Sequence, residues 1–226
     1  MIKRFFDILI SVIVLSLFCP ILVTCALLVF FEDWSNPIYS ALRVGKAGKK
    51  FYMFKIRSMR VNADSTGVDS TGADDPRITC VGKYIRRLKI DELSQFFNVL
   101  LGDMSIVGPR PNTLSEVLKY SDEESHLLSV KPGITDFASI VFSNEGEILR
   151  FSEDPVKDYN KFIRPWKSEL GLLYVKHSSV SIDFLVIFIT AVSLVSRPVS
   201  LKFLSAIIRR LSARPEVVQI AAKGIN

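Results

Sequence analysis

FFDILISVIVLSLFCPILVTCALLVFF, residues 5–31, is an apolar run interrupted only by Asp7, a few hydroxyl side chains and Pro20. At about 1.5 Å per residue, one helix of this length covers the roughly 30 Å hydrocarbon layer of a bilayer. The chain is therefore expected to meet a membrane. Pro20 has no N–H to give an interior helix turn and divides the run into residues 5–19, about 22 Å long, and residues 21–31, about 16 Å long. Neither arm spans alone. Two readings stay open on these residues: one tilted, kinked helix that crosses, or a helix-break-helix over residues 1–34 that dips in and returns. Basic residues flank both ends of the run, as a hairpin with both ends on the cytoplasmic leaflet would have them. No small-residue cleavage site follows, so a retained anchor is expected rather than a secretory signal.

Outside that run the 226 residues suffice for one substantial domain. Hydrophobic residues make up 49% and charged residues 23%, so the apolar content is concentrated, and it lies at the two ends. The net charge of +6 is equally uneven. Residues 43–60 carry Arg43, Lys46, Lys49, Lys50, Lys55, Arg57 and Arg60 with no acid, whereas residues 116–158 are acid-rich. Three cysteines, two of them inside the apolar run, make no disulfide framework and fit a reducing cytoplasm. With two histidines and no C-x-x-C pair, a zinc site is not expected. Few aromatic residues interleave with the basic ones, so no nucleic-acid partner is expected.

Residues 38–56 read as two strands around the Gly45–Gly48 turn, a basic hairpin. Residues 62–79 are polar and aperiodic, a loop. Helical spacing resumes over residues 81–101 with a break near Lys89, and GPRP (108–111) and KPGIT (131–135) are extended or turning. Residues 184–195 are apolar but too short to span, a buried or interfacial helix. Residues 199–211 set Leu201, Leu204, Ile207, Ile208 and Leu211 against Lys202, Arg209 and Arg210, the pattern of a basic amphipathic helix on an anionic membrane.

IDELSQFFNVL, residues 90–100, places two carboxylates beside each other ahead of an apolar stripe of Leu93, Phe96, Phe97 and Leu100, with Gly102 positioned as a C-cap. An acidic first turn is an ordinary helix start, so capping alone is one explanation. The other is chemistry. Adjacent residues on a helix point about 100° apart, so one carboxylate can attack while its neighbour holds a cation.

Taken together, RVGKAGKKFYMFKIRSM, DDPRITCVGKYIRRLKIDELSQFFNVLLGDMSIVGPRP and KPGIT resemble the bacterial sugar transferase family, the monotopic phosphoglycosyl transferases that start glycan assembly on polyprenyl phosphate. The resemblance runs from the apolar run to about residue 195 and is densest over residues 82–111. It implies a re-entrant membrane helix bent at Cys19-Pro20. The expected fold class is therefore mainly α with a small antiparallel β-hairpin: a monotopic membrane protein with an N-terminal re-entrant helix and interfacial amphipathic helices. Residues 35–195 would form the catalytic domain on the cytoplasmic face of the bacterial inner membrane, and residues 196–226 a basic interfacial segment.

The resemblance also implies roles. Asp91 would attack the β-phosphate of a UDP-sugar, expel UMP and carry the phosphosugar until polyprenyl (undecaprenyl) phosphate takes it. Glu92 would help hold Mg²⁺, and Lys55, Arg57, Arg86 and Arg110 would surround the phosphates. Arg86, Arg87 and Lys89 should keep Asp91 ionised. Partners would be the UDP-sugar donor, the polyprenyl phosphate acceptor, anionic membrane lipids and downstream glycosyltransferases. After KPGIT many relatives continue Gly-Trp/Leu-Ala-Gln, whereas this chain has Asp136-Phe137-Ala138-Ser139. The alternative from another class is a non-catalytic membrane-anchored protein that binds lipid or a partner through its basic hairpin.

Overall fold

The computed structural model describes residues 2–63, 75–150, 152–211 and 213–224. Most of the expected loop, residues 64–74, lies outside the described residues. The hairpin forms as its pattern predicts: β1 (Ile38–Val44) and β2 (Lys50–Ile56) pair antiparallel from Val44↔Lys50 to Ile38↔Ile56. Next comes α2 (Cys80–Arg87), whose N-cap Thr79 accepts from the Gly82 N–H at 3.0 Å. The expected break falls at Lys89, which adopts a left-handed φ of 54°. A short 3₁₀ turn (Ile90–Glu92) then leads into α3 (Gln95–Leu101), closed by Gly102 at φ 97°.

Which side of α3 is buried differs from expectation. Ser94, Gln95, Asn98 and Val99 face inward, while Phe97 and Leu101 are exposed. Hydrogen bonding decides this orientation. Asn98 Oδ1 accepts from the Phe54 N–H at 2.9 Å and its Nδ2 donates to the Tyr52 carbonyl at 2.7 Å, and Ser94 Oγ donates to the Phe54 carbonyl at 3.0 Å. These bonds complete backbone groups of β2, so the polar face must turn toward the hairpin.

The two motifs after α3 meet each other. β3 (Ser105–Val107) and β4 (Gly133–Thr135) pair in parallel, a connection that no local pattern announces. A Cβ on Gly108 would sit 2.4 Å from the Lys131 carbonyl oxygen, and one on Gly133 would sit 2.1 Å from the Gly108 nitrogen. GPRP and KPGIT therefore pack backbone against backbone, which only glycine at both places allows.

The remaining helices are α4 (Leu114–Val117), α5 (Phe137–Val141), α6 (Glu145–Ile148), α7 (Pro155–Asp158), α8 (Arg164–His177), α9 (Val180–Val195), α10 (Arg197–Arg210) and α11 (Pro215–Lys223). A π-helical turn, Tyr159–Ile163, joins α7 to α8. Phe137, Val141, Leu170, Tyr174, Val186 and Ile189 form the main core together with Leu201, Leu204 and Ile208 of α10 and Val217 of α11. The apolar stripe of α10 is thus spent on the protein core rather than on a lipid surface, and residues 196–226 continue the body of residues 35–195. The large apolar side chains that α10 leaves outside are Val199 and Phe203, the latter 6.3 Å from exposed Phe188 of α9.

The apolar run forms α1 (Ile2–Asp33), long and apolar enough to cross a membrane and little covered by the rest of the protein. It is one helix through Pro20, so the expected helix-break-helix is not a break in the winding. Proline removes a single N–H, and the turns on either side keep theirs. Both ends of α1 are fastened to the same body. Near the start, Lys3 bonds Asp183 (2.6 Å), Arg4 donates to the Val99 and Leu100 carbonyls, and Asp7 accepts from Ser105 Oγ (2.9 Å) and the Ile106 N–H (3.0 Å). Near the end, Val29 packs on Ile56 and Ile85, Glu32 accepts from the Cys80 N–H (2.9 Å), and Arg57 grips Asp33 (2.6 Å).

Candidate active site

The turn after α2 and the hairpin beside it bring Asp91, Glu92, Lys55, Arg86 and Arg110 within each other's electrostatic reach. The bonds from Ser94 and Asn98 to Tyr52 and Phe54 fix α3 against β2 and so hold Lys55, the next residue along the strand, to the carboxylate turn. Arg110 arrives from the segment anchored by the Gly108–Gly133 contact and donates from Nη2 to Glu92 Oε1 at 2.7 Å. α2 sits close on β2's end, since a Cβ at Gly82 would lie 2.0 Å from the Ser58 carbonyl oxygen. That closeness carries Arg86 toward Asp91.

Neither carboxylate is a helix cap. The 3₁₀ turn and α3 begin at Lys89 and Ser94, and neither start has a side-chain cap bond. Among the described residues no donor bonds the Asp91 carboxylate, and Glu92 is bonded only by Arg110. Capping therefore does not account for either side chain.

Their surroundings push the two acids apart. Burial raises the Asp91 carboxyl above its ordinary range and Glu92 adds to the rise, while Lys55, Arg86 and Arg110 oppose it without prevailing. Of the three basic residues expected to keep Asp91 ionised, Arg86 acts on it in that direction, and Arg87 and Lys89 are not among the groups that act on it most. For Glu92 burial pulls upward too, but Arg110, Lys55 and Lys89 outweigh it and the net shift is down. Lys55 is pulled down to about 8 by burial and by Arg110, against the attraction of both acids. Arg110 stays charged, held up chiefly by Glu92. Acid pairs split in this way take different parts in one reaction.

Arg57 is not in this group. Its guanidinium is committed to Asp33 and to the Asn36, Ser35 and Met59 carbonyls, so it clamps α1 to β2 instead of facing phosphate. Sequence reasoning missed a second polar set that reaches Arg110 from the far part of the chain. Glu145 of α6 pairs with Lys167 of α8, whose ammonium lies 5.1 Å from the centre of the Tyr159 ring. Glu145 acts on both Arg110 and Tyr159. In the structure the π turn carrying Tyr159 marks the place, because such turns gather at functional sites. The departure after KPGIT is structural: Asp136 caps α5 by accepting from the Ser139 N–H at 2.7 Å, and Phe137 packs edge-on against Tyr174.

Among the described residues no group of three or more His, Cys, Asp or Glu side chains is placed to hold a metal. A magnesium site does not need one. Mg²⁺ keeps several waters and takes one or two carboxylates plus substrate phosphate oxygens, and Glu92, with Oε2 unbonded, is a carboxylate of the kind that could hold it.

A family model described as bacterial sugar transferase matches residues 1–197. Among curated relatives, the chain is 36% identical over 194 residues to the UDP-N-acetylgalactosamine-undecaprenyl-phosphate N-acetylgalactosaminephosphotransferase of Aeromonas hydrophila, covering 84% of this chain and 42% of the relative. It is 37% identical over 199 residues to the galactosyl transferase CpsE of Streptococcus agalactiae serotype III, covering 83% and 41%. It is 38% identical over 191 residues to the UDP-glucose:undecaprenyl-phosphate glucose-1-phosphate transferase of Klebsiella pneumoniae, covering 83% and 39%. The chain thus spans about two fifths of the length of these relatives, and their named sugars differ.

Proposed function

The chain belongs to the bacterial sugar transferase family, and from that premise we propose that it transfers a phosphosugar from a UDP-sugar to polyprenyl phosphate, releasing UMP, through a covalent phosphosugar on Asp91. The carrying observation is the pair Asp91–Glu92, two carboxylates without a capping role beside Lys55, Arg86 and Arg110. The relatives' names supply the classes of donor and acceptor.

In the first half-reaction an Asp91 oxygen attacks the β-phosphorus, and the bond to the bridging oxygen breaks with its electron pair leaving on UMP. In the second, a phosphate oxygen of the polyprenyl acceptor attacks the same phosphorus and the bond to Asp91 breaks, restoring the carboxylate. A carboxylate approaching a diphosphate meets strong repulsion. Lys55, Arg86 and Arg110 offset it, and a divalent cation held by Glu92 would supply further positive charge to the phosphate oxygens. Glu145, Lys167 and Tyr159, which reach Arg110 from α6 to α8, are the groups we assign to the donor's sugar and nucleoside end.

The acceptor's tail cannot leave the bilayer, so the chemistry belongs at its surface. We read α1 as re-entrant, with the catalytic body on the cytoplasmic face of the inner membrane. The support is that a straight helix of α1's length would part its ends by about 48 Å, yet Lys3, Arg4 and Asp7 at one end and Glu32 and Asp33 at the other bond the same body. Exposed Phe184 and Phe188 of α9 and Phe203 of α10 extend the lipid-facing surface, with Phe184 4.9 Å from Phe6 of α1.

Detergent-solubilised protein given UDP-sugars, Mg²⁺ and undecaprenyl phosphate should release UMP, and Asp91→Asn should abolish that release. Full turnover in Asp91→Asn would remove the nucleophile from the reading. Cysteines introduced at Lys3 and Lys50 in spheroplasts should share one accessibility, and labelling from opposite sides would refute re-entry.

A further inference from the structure

Lys131, which opens the KPGIT segment, is partly buried, and its ammonium has neither a hydrogen bond nor an ion pair among the described residues. It faces another cation instead. A Cβ on Gly102 would stand 3.6 Å from Lys131 Nζ and 3.5 Å from Arg4 Nη2, so the two charges lie at most about 7 Å apart, where like charges repel. Burial first, then Arg4 and to a smaller degree Lys46 of the hairpin turn, pull the Lys131 ammonium down from its ordinary value, against Asp7 and Asp103. Neither acid pairs with these cations. Asp7 gives its oxygens to Ser105 Oγ and the Ile106 N–H, and Asp103 is exposed and forms no ion pair among the described residues.

Arg4 has a structural use, since it donates to the Val99 and Leu100 carbonyls that α3 leaves over at its end. Lys131 has none of that kind, and bringing its charge beside Arg4 costs stability. The place says what the charge can serve. Arg4 stands where α1 begins, next to exposed Phe5, and Gly102 is preceded by exposed Leu101, so apolar surface borders the cations at the foot of the membrane helix. A phosphate carrying acyl tails matches both surfaces. The cluster is separate from the candidate active site: the charges that act most on Lys131 are Arg4, Asp7, Asp103 and Lys46, and those that act most on Asp91 are Lys55, Glu92, Arg86 and Arg110. The Asp91 turn precedes α3 and Gly102 closes it, so the length of that helix divides the two. A lipid held at Lys131 is therefore not the one that reacts at Asp91.

We propose that Arg4, Lys131 and Lys46 form a binding site for the phosphodiester headgroup of an anionic phospholipid, with Phe5 and Leu101 against its tails. The phosphate takes charge-assisted hydrogen bonds from the Lys131 ammonium and from the guanidinium N–H groups that Arg4 has left over, and it offsets the repulsion between the two cations. Holding the closing end of α3 at the headgroups keeps the opposite end, with the Asp91 turn, along the same surface. The inference rests on α1 lying in the bilayer and stands apart from the transfer chemistry.

Short-chain phosphatidylglycerol titrated into the full chain in a neutral detergent should raise the melting temperature saturably, and phosphatidylcholine of the same chain length should not. Lys131→Gln should weaken the phosphatidylglycerol response about fivefold or more, the factor expected for one cation at an anionic headgroup. Without lipid this variant should melt no lower than wild type, because the ammonium it removes bonds nothing among the described residues. Lys131→Arg keeps the charge and should keep the response, and Lys49→Gln with Lys50→Gln, which removes two charges from the same hairpin, should leave it nearly unchanged. An undiminished response in Lys131→Gln, an equal response of wild type to phosphatidylcholine, or an equal loss in the Lys49 and Lys50 variant would overturn the site. A lowered melting point of Lys131→Gln without lipid would make Lys131 a structural residue and overturn it as well. Farnesyl phosphate and inorganic phosphate separate the sources. Farnesyl phosphate binding that depends on Lys131, when phosphatidylglycerol binding does not, would give the cluster to the acceptor, and inorganic phosphate matching phosphatidylglycerol would make it a site for any free anion; either result overturns the phospholipid assignment.

Discussion

Lys55 stands where burial and Arg110 both work against its positive charge, and its ammonium is pulled down to about 8. A group with a lowered value loses its proton as pH rises, so the charge proposed to steady the donor's phosphates is present below about pH 8 and fades above it. The rate at low donor, kcat/KM, should therefore decline on the alkaline side near that pH, since this quantity reports the free enzyme. Lys55→Arg keeps a cation of far higher pKa and should carry the decline to higher pH, even if its different shape lowers the maximum severalfold. UMP release measured across the alkaline range checks this, and an identical decline in the variant would assign it to another group. At this scale the motif made most of the site legible. Asp91, Glu92, Lys55 and Arg86 come together because they lie within short reach of a hairpin and a helical turn that the pattern announces, whereas Arg110 is brought in by the long-range Gly108–Gly133 contact. Arg57 misled because its partner, Asp33, belongs to a separate element, and an arginine just past the strand, two places from Lys55, looks the same whether it faces phosphate or a carboxylate.

α3 carries its meaning in its inward side. Asn98 is wholly buried and completes one N–H and one carbonyl of β2, and Ser94 completes another carbonyl. Asn98→Leu leaves the Phe54 N–H and the Tyr52 carbonyl without partners, at about 1–3 kcal/mol for each group that stays dry. The expected outcome is a destabilisation of about 2–4 kcal/mol and a loss of turnover larger than the loss of folded protein, because the strand that holds Lys55 is no longer fixed to the turn that holds Asp91. Thermal melts alongside UMP release per folded molecule distinguish this from simple unfolding. The hairpin, the break at Lys89 and the cap at Gly102 were readable because each is a local event with a local chemical cause. The buried side of α3 was not, since apolar periodicity points to Leu93, Phe96, Phe97 and Leu100, whereas backbone groups 40-odd residues earlier dictate the turn. The parallel β3–β4 pair was invisible for a related reason. GPRP and KPGIT each look like a turn alone, and only their mutual approach through Gly108 and Gly133 makes them strands.

Across the whole molecule the apolar residues divide between two environments, and composition alone does not reveal the division. Both α1 and α10 read as membrane elements, but α1 leaves most of its side chains outside while α10 turns Leu201, Leu204 and Ile208 into the core beside Val186 and Ile189. The distinction matters because the family match ends at residue 197, just where α10 begins. Were α10 and α11 merely resting on lipid, a chain ending after Arg197 would keep its fold and bind vesicles less well. In the structure those helices bury Leu201, Leu204, Ile208 and Val217, each at 3% exposure or less. At about 1.5–3 kcal/mol per side chain, their loss removes roughly 6–12 kcal/mol, comparable to the entire stability of an ordinary domain. Truncation after Arg197 should therefore yield aggregated or protease-sensitive protein in detergent, where no bilayer contributes. The paired variant Val199→Ser with Phe203→Ser, altering only what α10 exposes, should keep its melting temperature and lose affinity for anionic vesicles. A truncated protein that melts cooperatively at the wild-type temperature would return α10 to the lipid surface.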